Sequence, residues 1–226
     1  GNLAYIAGGT GGLFVLEISP GGQPRLVGHR DTPGFAKGVA VEGSRAYVAD
    51  SENGLVILDV SNPANPVVVG SVDTDGLAEA VSVANGFAYV ADADSGVVVN
   101  VANPTAPQRV VILGATGRAG GIQVVGTRLY VAEGTSGLRI FDVSNPLAPV
   151  HLAVADTGGF AAAVQVVGSL AYVADGNQGL RILDVSSGAA PVPVGGIALP
   201  GLAFGIQVQG SLAAVALVEG GVQLVD

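Results

Sequence analysis

The feature that most limits this chain is a phrase that returns at a nearly constant interval. Ala46-Tyr47-Val48-Ala49-Asp50 recurs at 88–92, at 129–133 as Leu-Tyr-Val-Ala-Glu, and at 171–175. A worn copy opens the chain at Ala4-Tyr5-Ile6-Ala7. All five tyrosines, at 5, 47, 89, 130 and 172, occupy this one position, in steps of 42, 42, 41 and 42 residues. A unit that repeats at this length cannot bury its apolar face alone and must stack on its neighbours.

The rest of the unit is equally regular. After the phrase come a short turn and a Gly, at 12, 54, 96, 137, 179 and 221. An apolar run follows, as in Leu55-Val-Ile-Leu-Asp59 and Leu138-Arg-Ile-Phe-Asp142, shortened to Val97-Val98-Val99-Asn100 in the third repeat. A turn such as Ser61-Asn62-Pro63 leads to a Pro at 24, 66, 107, 149 or 191 that opens another strand. Last is a small-residue strand with Ala at 36, 78, 119, 161 and 203. Four short strands in a unit of this length predict an all-β propeller of four-stranded antiparallel blades.

Strand order follows from the residues. Pro has no N–H to give a ladder, so its strand is expected at the outer edge. The Ala strand suits the crowded inner end, and the Tyr and Leu-Val-Ile-Leu-Asp strands lie between. Tyr is expected to fill the space between blades with its ring, its hydroxyl reaching a polar partner. A half-unit, Leu212 to Asp226, ends the chain, with Ala214 where Tyr is expected. The pattern gives 22 strands where closure needs 20 or 24. Six blade positions, with about half a repeat lying outside this chain, is the expectation; five blades and an extra hairpin is the alternative. Residues 1–226 are read as one propeller domain, either a processed product or a fragment of a longer chain.

Composition narrows the function. Half the residues are hydrophobic (49%) and only 12% are charged, so most strand positions must be buried. The net charge of −9, with no basic cluster, argues against a nucleic-acid partner. No apolar run approaches the roughly 18–20 residues of a spanning helix, so membrane insertion by this segment is not expected. The absence of Cys removes disulfides and thiolate metal sites.

The run Gly54-Leu-Val-Ile-Leu-Asp59-Val60 followed by Ser-Asn-Pro resembles the LVIVD repeat, as do Gly137 to Val143, Gly179 to Val185 and Gly221 to Asp226. The resemblance covers essentially the whole chain. It implies a bacterial or archaeal type of β-propeller, commonly exported or at the cell surface, and it brings no catalytic motif. The third repeat, one residue short, and the fifth, where Ser187-Gly188 replaces Asn-Pro, are expected to be locally distorted.

No constellation of residues predicts catalysis. His29 and His151 fall at different places in their repeats. Asp92-Ala93-Asp94-Ser95-Gly96 superficially resembles a calcium loop, but its Gly is fifth and no late acid follows, so a turn with Asp capping amides and Gly at positive φ is expected. Asp31-Thr32, Asp73-Thr74 and Asp156-Thr157 are read as local hydrogen-bonded turns rather than a cation ring. Gly114 to Gly121 is Gly-rich but opens no helix, so it is read as a loop and not a phosphate site. No metal or cofactor is expected.

The informative positions are those that vary on a constant frame. Before the inner-strand Ala stand Phe35, Leu77, Arg118, Phe160 and Leu202; after it stand Lys37, Glu79, Gly120, Ala162 and Phe204. Residues at the ends of rigid strands are where a scaffold presents a varied surface. These positions are therefore the candidate binding site, at the mouth of the inner strands. The chain reads as a non-enzymatic exported module that contacts protein or glycan. The rivals are a structural repeat domain of a larger assembly and a metal-assisted hydrolase, for which Glu79 is the one inner-strand acid.

Overall fold

The computed structural model describes residues 2–226. Six antiparallel sheets follow the repeat, and no helix occurs among the described residues. Sheet 1 comprises β1 (Leu3–Ala7), β2 (Leu13–Glu17) and β3 (Arg25–Arg30). Sheet 2 runs β4 (Gly38–Glu42), β5 (Arg45–Ala49), β6 (Leu55–Asp59) and β7 (Val67–Val72). Sheet 3 runs β8 (Ala80–Ala84), β9 (Phe87–Ala91), β10 (Ala93–Asn100) and β11 (Gln108–Ala119). Sheet 4 runs β12 (Gly121–Val125), β13 (Arg128–Ala132), β14 (Leu138–Asp142) and β15 (Val150–Ala155). Sheet 5 runs β16 (Ala163–Val167), β17 (Leu170–Ala174), β18 (Leu180–Asp184) and β19 (Val192–Ile197). Sheet 6 comprises β20 (Ala203–Gln209), β21 (Leu212–Leu217) and β22 (Gly221–Val225). The expected count of 22 strands on six blade positions is what the fold shows.

The chain divides into two compact units, residues 1–93 with 97–112, and residues 94–96 with 113–226. In the first, β4 packs on β8; in the second, β12 packs on β16 and β16 on β20. The Ala-rich first strands are thus the ones that approach each other. The Pro-led strands β7, β11, β15 and β19 are the opposite edges of their sheets, as their missing N–H requires.

The strand types explain the core. In β6, Leu55, Val56, Ile57 and Leu58 are all buried, because a sheet sandwiched between two others has no solvent face. One face of sheet 5 packs on sheet 6: Tyr172, Ala174, Leu180 and Ile182 meet Ala203, Val208, Ala213, Val215 and Leu217. The rings of Tyr47, Tyr89 and Tyr130 are buried, and burial raises the hydroxyls of Tyr47 and Tyr89 above their ordinary pKa. Among the described residues no Tyr hydroxyl makes a protein hydrogen bond, so the position selects the ring and not the expected polar handle.

The Asp that ends the Leu-Val-Ile-Leu-Asp strand is a turn former. The Oδ1 atoms of Asp59, Asp142 and Asp184 accept from the main-chain N–H of Ser61, Ser144 and Ser186 at 2.7–2.8 Å. Hydrogen bonds from these serines hold the three carboxyls below the usual carboxylate range. In the fifth repeat Ser187 Oγ accepts from Ala190 N–H at 3.1 Å, replacing the Asn side chain that closes the turn elsewhere. The third repeat is distorted as expected. Its β10 begins within the turn, at Ala93 with φ of 48°, and β11 continues to Ala119. The Gly-rich stretch 114–121, expected as a loop, is therefore mostly strand.

Candidate functional site

The candidate residues flank an Ala whose backbone is stapled twice. Ala36 exchanges hydrogen bonds with Gly9, N–H to O at 3.0 and 2.9 Å, while the next residue, Lys37, donates to Ala49 O at 2.8 Å within its own sheet. The same bridge joins Ser51 to Ala78, Gly134 to Ala161 and Gly176 to Ala203. The segment is thus tied to the sheet before it and to its own. The bridging Ala is buried in every case, and a larger side chain would push the two sheets apart.

With the Ala fixed inward, its neighbours are presented outward. In the first unit Phe35 is half exposed and Leu77 is 38% exposed. Lys37 Nζ donates to Glu79 Oε1 at 2.7 Å. Glu79, the one acid that a channel hydrolase could use, is thereby held in an ion pair. In the second unit Phe204 is 49% and Leu202 46% exposed. Phe160 and Phe204 stack with ring centroids 6.2 Å apart and planes inclined by 29°. Phe160 precedes its bridging Ala and Phe204 follows the next one, so the pair forms between successive repeats. An open pocket of ≈ 340 Å³, lined by Leu199, Pro200, Val218 and Glu219, adjoins Leu202. Arg118 is exposed near the end of β11, and Gly120 and Ala162 present no functional group.

The bridging glycine makes the seat for the ring. A Cβ on Gly9 would lie 2.9 Å from the Phe35 ring, and a Cβ on Gly134 would lie 2.9 Å from that of Phe160. Both glycines have positive φ, of 61° and 53°, which also disfavours a side chain.

Behind this face lies a set of buried carboxylates whose partners sequence reasoning misplaced. Thr32, Thr74 and Thr157 do not bond within their own turns. Their hydroxyls donate to Asp50, Asp92 and Asp175 Oδ1 at 2.6, 2.7 and 2.6 Å, eighteen residues ahead. Gly34 N–H gives Asp50 Oδ2 a second bond at 2.8 Å. These Asp side chains therefore latch the loop entering each sheet, rather than capping the amides of their own turn. Only the neighbouring Asp73 and Asp156 close local turns, accepting from Asp75 and Gly158 N–H. Burial raises the carboxyls of Asp92 and Asp175 above the usual range. In sheet 4 the latch is Glu133, which accepts from Thr116 Oγ1 and pairs with Arg139 at 2.8 Å, both partners almost fully buried. The signal in the sequence was the fixed Thr-to-Asp separation at two polar positions of an apolar frame.

The two histidines stand apart from any acid–base set. His29 donates to Gly11 O at 2.6 Å and packs on Phe14; His151 meets the Phe141 ring edge-on. Among the described residues no three His, Asp or Glu side chains gather as a metal site.

A chain of repeated antiparallel blades whose first strands converge and whose proline-led strands form the far edges is a β-propeller. The model of the LVIVD repeat matches residues 1–32, 33–74, 75–113, 116–157 and 158–197, so the chain belongs to the LVIVD-repeat family. Among curated proteins none is significantly similar in sequence. Solved structures share the fold at low identity. A Lactobacillus plantarum protein superposes with a TM-score of 0.80 at 14% identity, covering 99% of this chain and 82% of its own. A periplasmic gluconolactonase of Pseudomonas aeruginosa gives 0.78 at 15%, covering 95% and 74%. A computationally designed protein gives 0.75 at 10%, covering 100% and 68%. At these identities the likeness is one of fold.

Proposed function

We propose that this LVIVD-repeat propeller is a non-enzymatic binding module whose contact surface is the apolar, aromatic face around Phe160, Leu202 and Phe204. The observation that carries the reading is the stacked Phe160–Phe204 pair, Phe204 exposed and Phe160 half-buried, on a backbone bonded on both sides. Exposed aromatic side chains with few rotamers, fixed by a rigid frame, are efficient anchors for a partner. A protein partner suits the face better than a glycan. Its centre is two phenyl rings and a leucine, with Asn177 and Glu219 as the polar side chains lining the pocket beside Leu202. Export to the cell surface belongs to the same proposal and rests on what LVIVD-repeat chains commonly are.

Hydrolysis is the less favoured reading, because Glu79 is engaged by Lys37, while His29 bonds the main-chain O of Gly11 and His151 packs on Phe141. The test is comparative retention. Immobilised protein and its Phe160→Asp and Leu202→Asp variants are exposed to the same extract of the source cells, and the bound proteins are quantified. A partner held by the parent and lost, by tenfold or about 1.4 kcal/mol, from both variants supports the reading. Equal retention by all three rejects this face.

A further inference from the structure

Sheets 4 and 5 each reach the next sheet with a glutamine. Val166 N–H donates to Gln123 Oε1 at 2.5 Å. One repeat later, Val208 N–H donates to Gln165 Oε1 at 2.6 Å, and Gln165 Nε2 donates back to Val208 O at 3.2 Å. In both cases the Gln sits at the centre of a first strand and clamps the main chain of the following first strand, 43 residues ahead. Gln165 lies opposite Tyr172 in its ladder, on the face that packs against sheet 6.

Gln207 holds the same place in β20. It lies opposite Ala214, as Gln165 lies opposite Tyr172, and it is exposed. Among the described residues its side chain has no hydrogen-bond partner. The residues beside it on this face are bare too. By ladder register, Ala214 and Ala216 pair with Leu224 and Val222, which places the four on the side of Gln207. Val222 is 65% and Leu224 57% exposed, whereas their counterparts Leu138 and Ile140 are fully buried. The other face of the sheet, carrying Ala213, Val215 and Leu217, is packed on sheet 5.

We propose that this uncovered face of sheet 6 is a blade-docking surface, and that its occupant is a further blade of the same repeat. Its first strand would lie along β20 and offer its main-chain N–H and C=O to Gln207. The interface joining sheet 4 to sheet 5 and sheet 5 to sheet 6 recurs on this face with its clamp and the apolar residues of its third strand in place, and with Ala214 where Tyr130 and Tyr172 stand.

The test extends the chain after Asp226 with a second copy of residues 185–226, which places a repeated Val208 at the clamp spacing. The extended chain is expected to melt at least about 4 °C above the parent. Gln207→Ala should lower Tm by about 2–4 °C in the extended chain and leave the parent unchanged. No rise in Tm, or an equal effect of Gln207→Ala in both chains, overturns the proposal. The parent alone gives a second reading should the extension misfold. There Gln165→Ala should lower Tm and Gln207→Ala should not; equal effects would contradict the clamp. Sedimentation of the parent should show a monomer. A dimer dispersed by Leu224→Lys would show that a second copy covers the face, against the proposal.

Discussion

The latch at Asp50 and the latch at Glu133 do the same job with different chemistry. At Asp50 a buried carboxylate is satisfied by neutral donors, the Thr32 hydroxyl and Gly34 N–H. At Glu133 the carboxylate meets Thr116 and the Arg139 guanidinium, whose Nη1 also donates to Gly114 O. The repeat explains the difference. Counting from the bridging Ala, the position of Thr74 falls on residue 115 in the short third repeat, which is Ala. The hydroxyl comes instead from Thr116, seventeen residues from the acid rather than eighteen, and the acid is the longer Glu. Where β6 and β10 carry Val56 and Val98, this strand carries Arg139, which brings a counter-charge into the frame; β18 has Arg181 at the same position, its Nε 4.0 Å from Asp175 Oδ2. The geometry of the latch is kept by changing its length and its charge together.

Removing one side of the charged latch is the largest test of that comparison. Arg139→Ala leaves Glu133 buried and unpaired and should cost about 3–5 kcal/mol in denaturant unfolding. Converting the site to the neutral kind, with Glu133→Asp and Arg139→Val, should recover all but about 1–2 kcal/mol, because no charge is then left without its counterpart. A double variant no better than Arg139→Ala would show that the two latches are not interchangeable.

The neutral latch should be weaker. Thr32→Val removes the hydroxyl donor to Asp50 while keeping its shape, and about 1–3 kcal/mol of stability should be lost by the same measurement. A loss as large as that for Arg139→Ala would erase the distinction.

The pH dependence follows from burial. The Asp175 carboxyl is raised by desolvation, so the folded state holds its proton more tightly than the unfolded chain. Its contribution is present below the unfolded pKa and is lost as pH rises through the folded one. Relative to the parent, Asp175→Asn should therefore gain stability as pH rises from about 4 to about 7. Asp59, Asp142 and Asp184, lowered by their serine bonds, act in the opposite sense: their contribution is lost as pH falls through their folded values. A parallel shift of parent and variant across this range would contradict the role given to burial.

What the sequence revealed and what it hid divide along the range of the interactions. The Tyr strand, the strand ending at Asp59 and the edge position of the Pro66 strand were legible because alternation, turn residues and a missing N–H act within a few residues. The six blade positions followed from counting them. The Thr32–Asp50 latch was hidden by its span: Asp31-Thr32 looks like a local turn, and the partner stands eighteen residues on. Phe160 and Phe204 were both singled out, but from opposite flanks of the bridging Ala. Their stacking needed the offset between successive sheets, which no single repeat contains. The seats at Gly9 and Gly134 were hidden because a turn glycine reads as backbone chemistry, while here its missing Cβ also makes room for a ring.

The repeated frame carries the fold, and the aromatic pair is displayed on it without sustaining it. Thermal unfolding of the Phe160→Ser, Phe204→Ser double variant tests this separation most directly. A Tm within about 2–4 °C of the parent, the shift that about 1 kcal/mol gives in a chain of this size, is the expected result. A fall of about 10 °C or more would place the two rings in the core and contradict it.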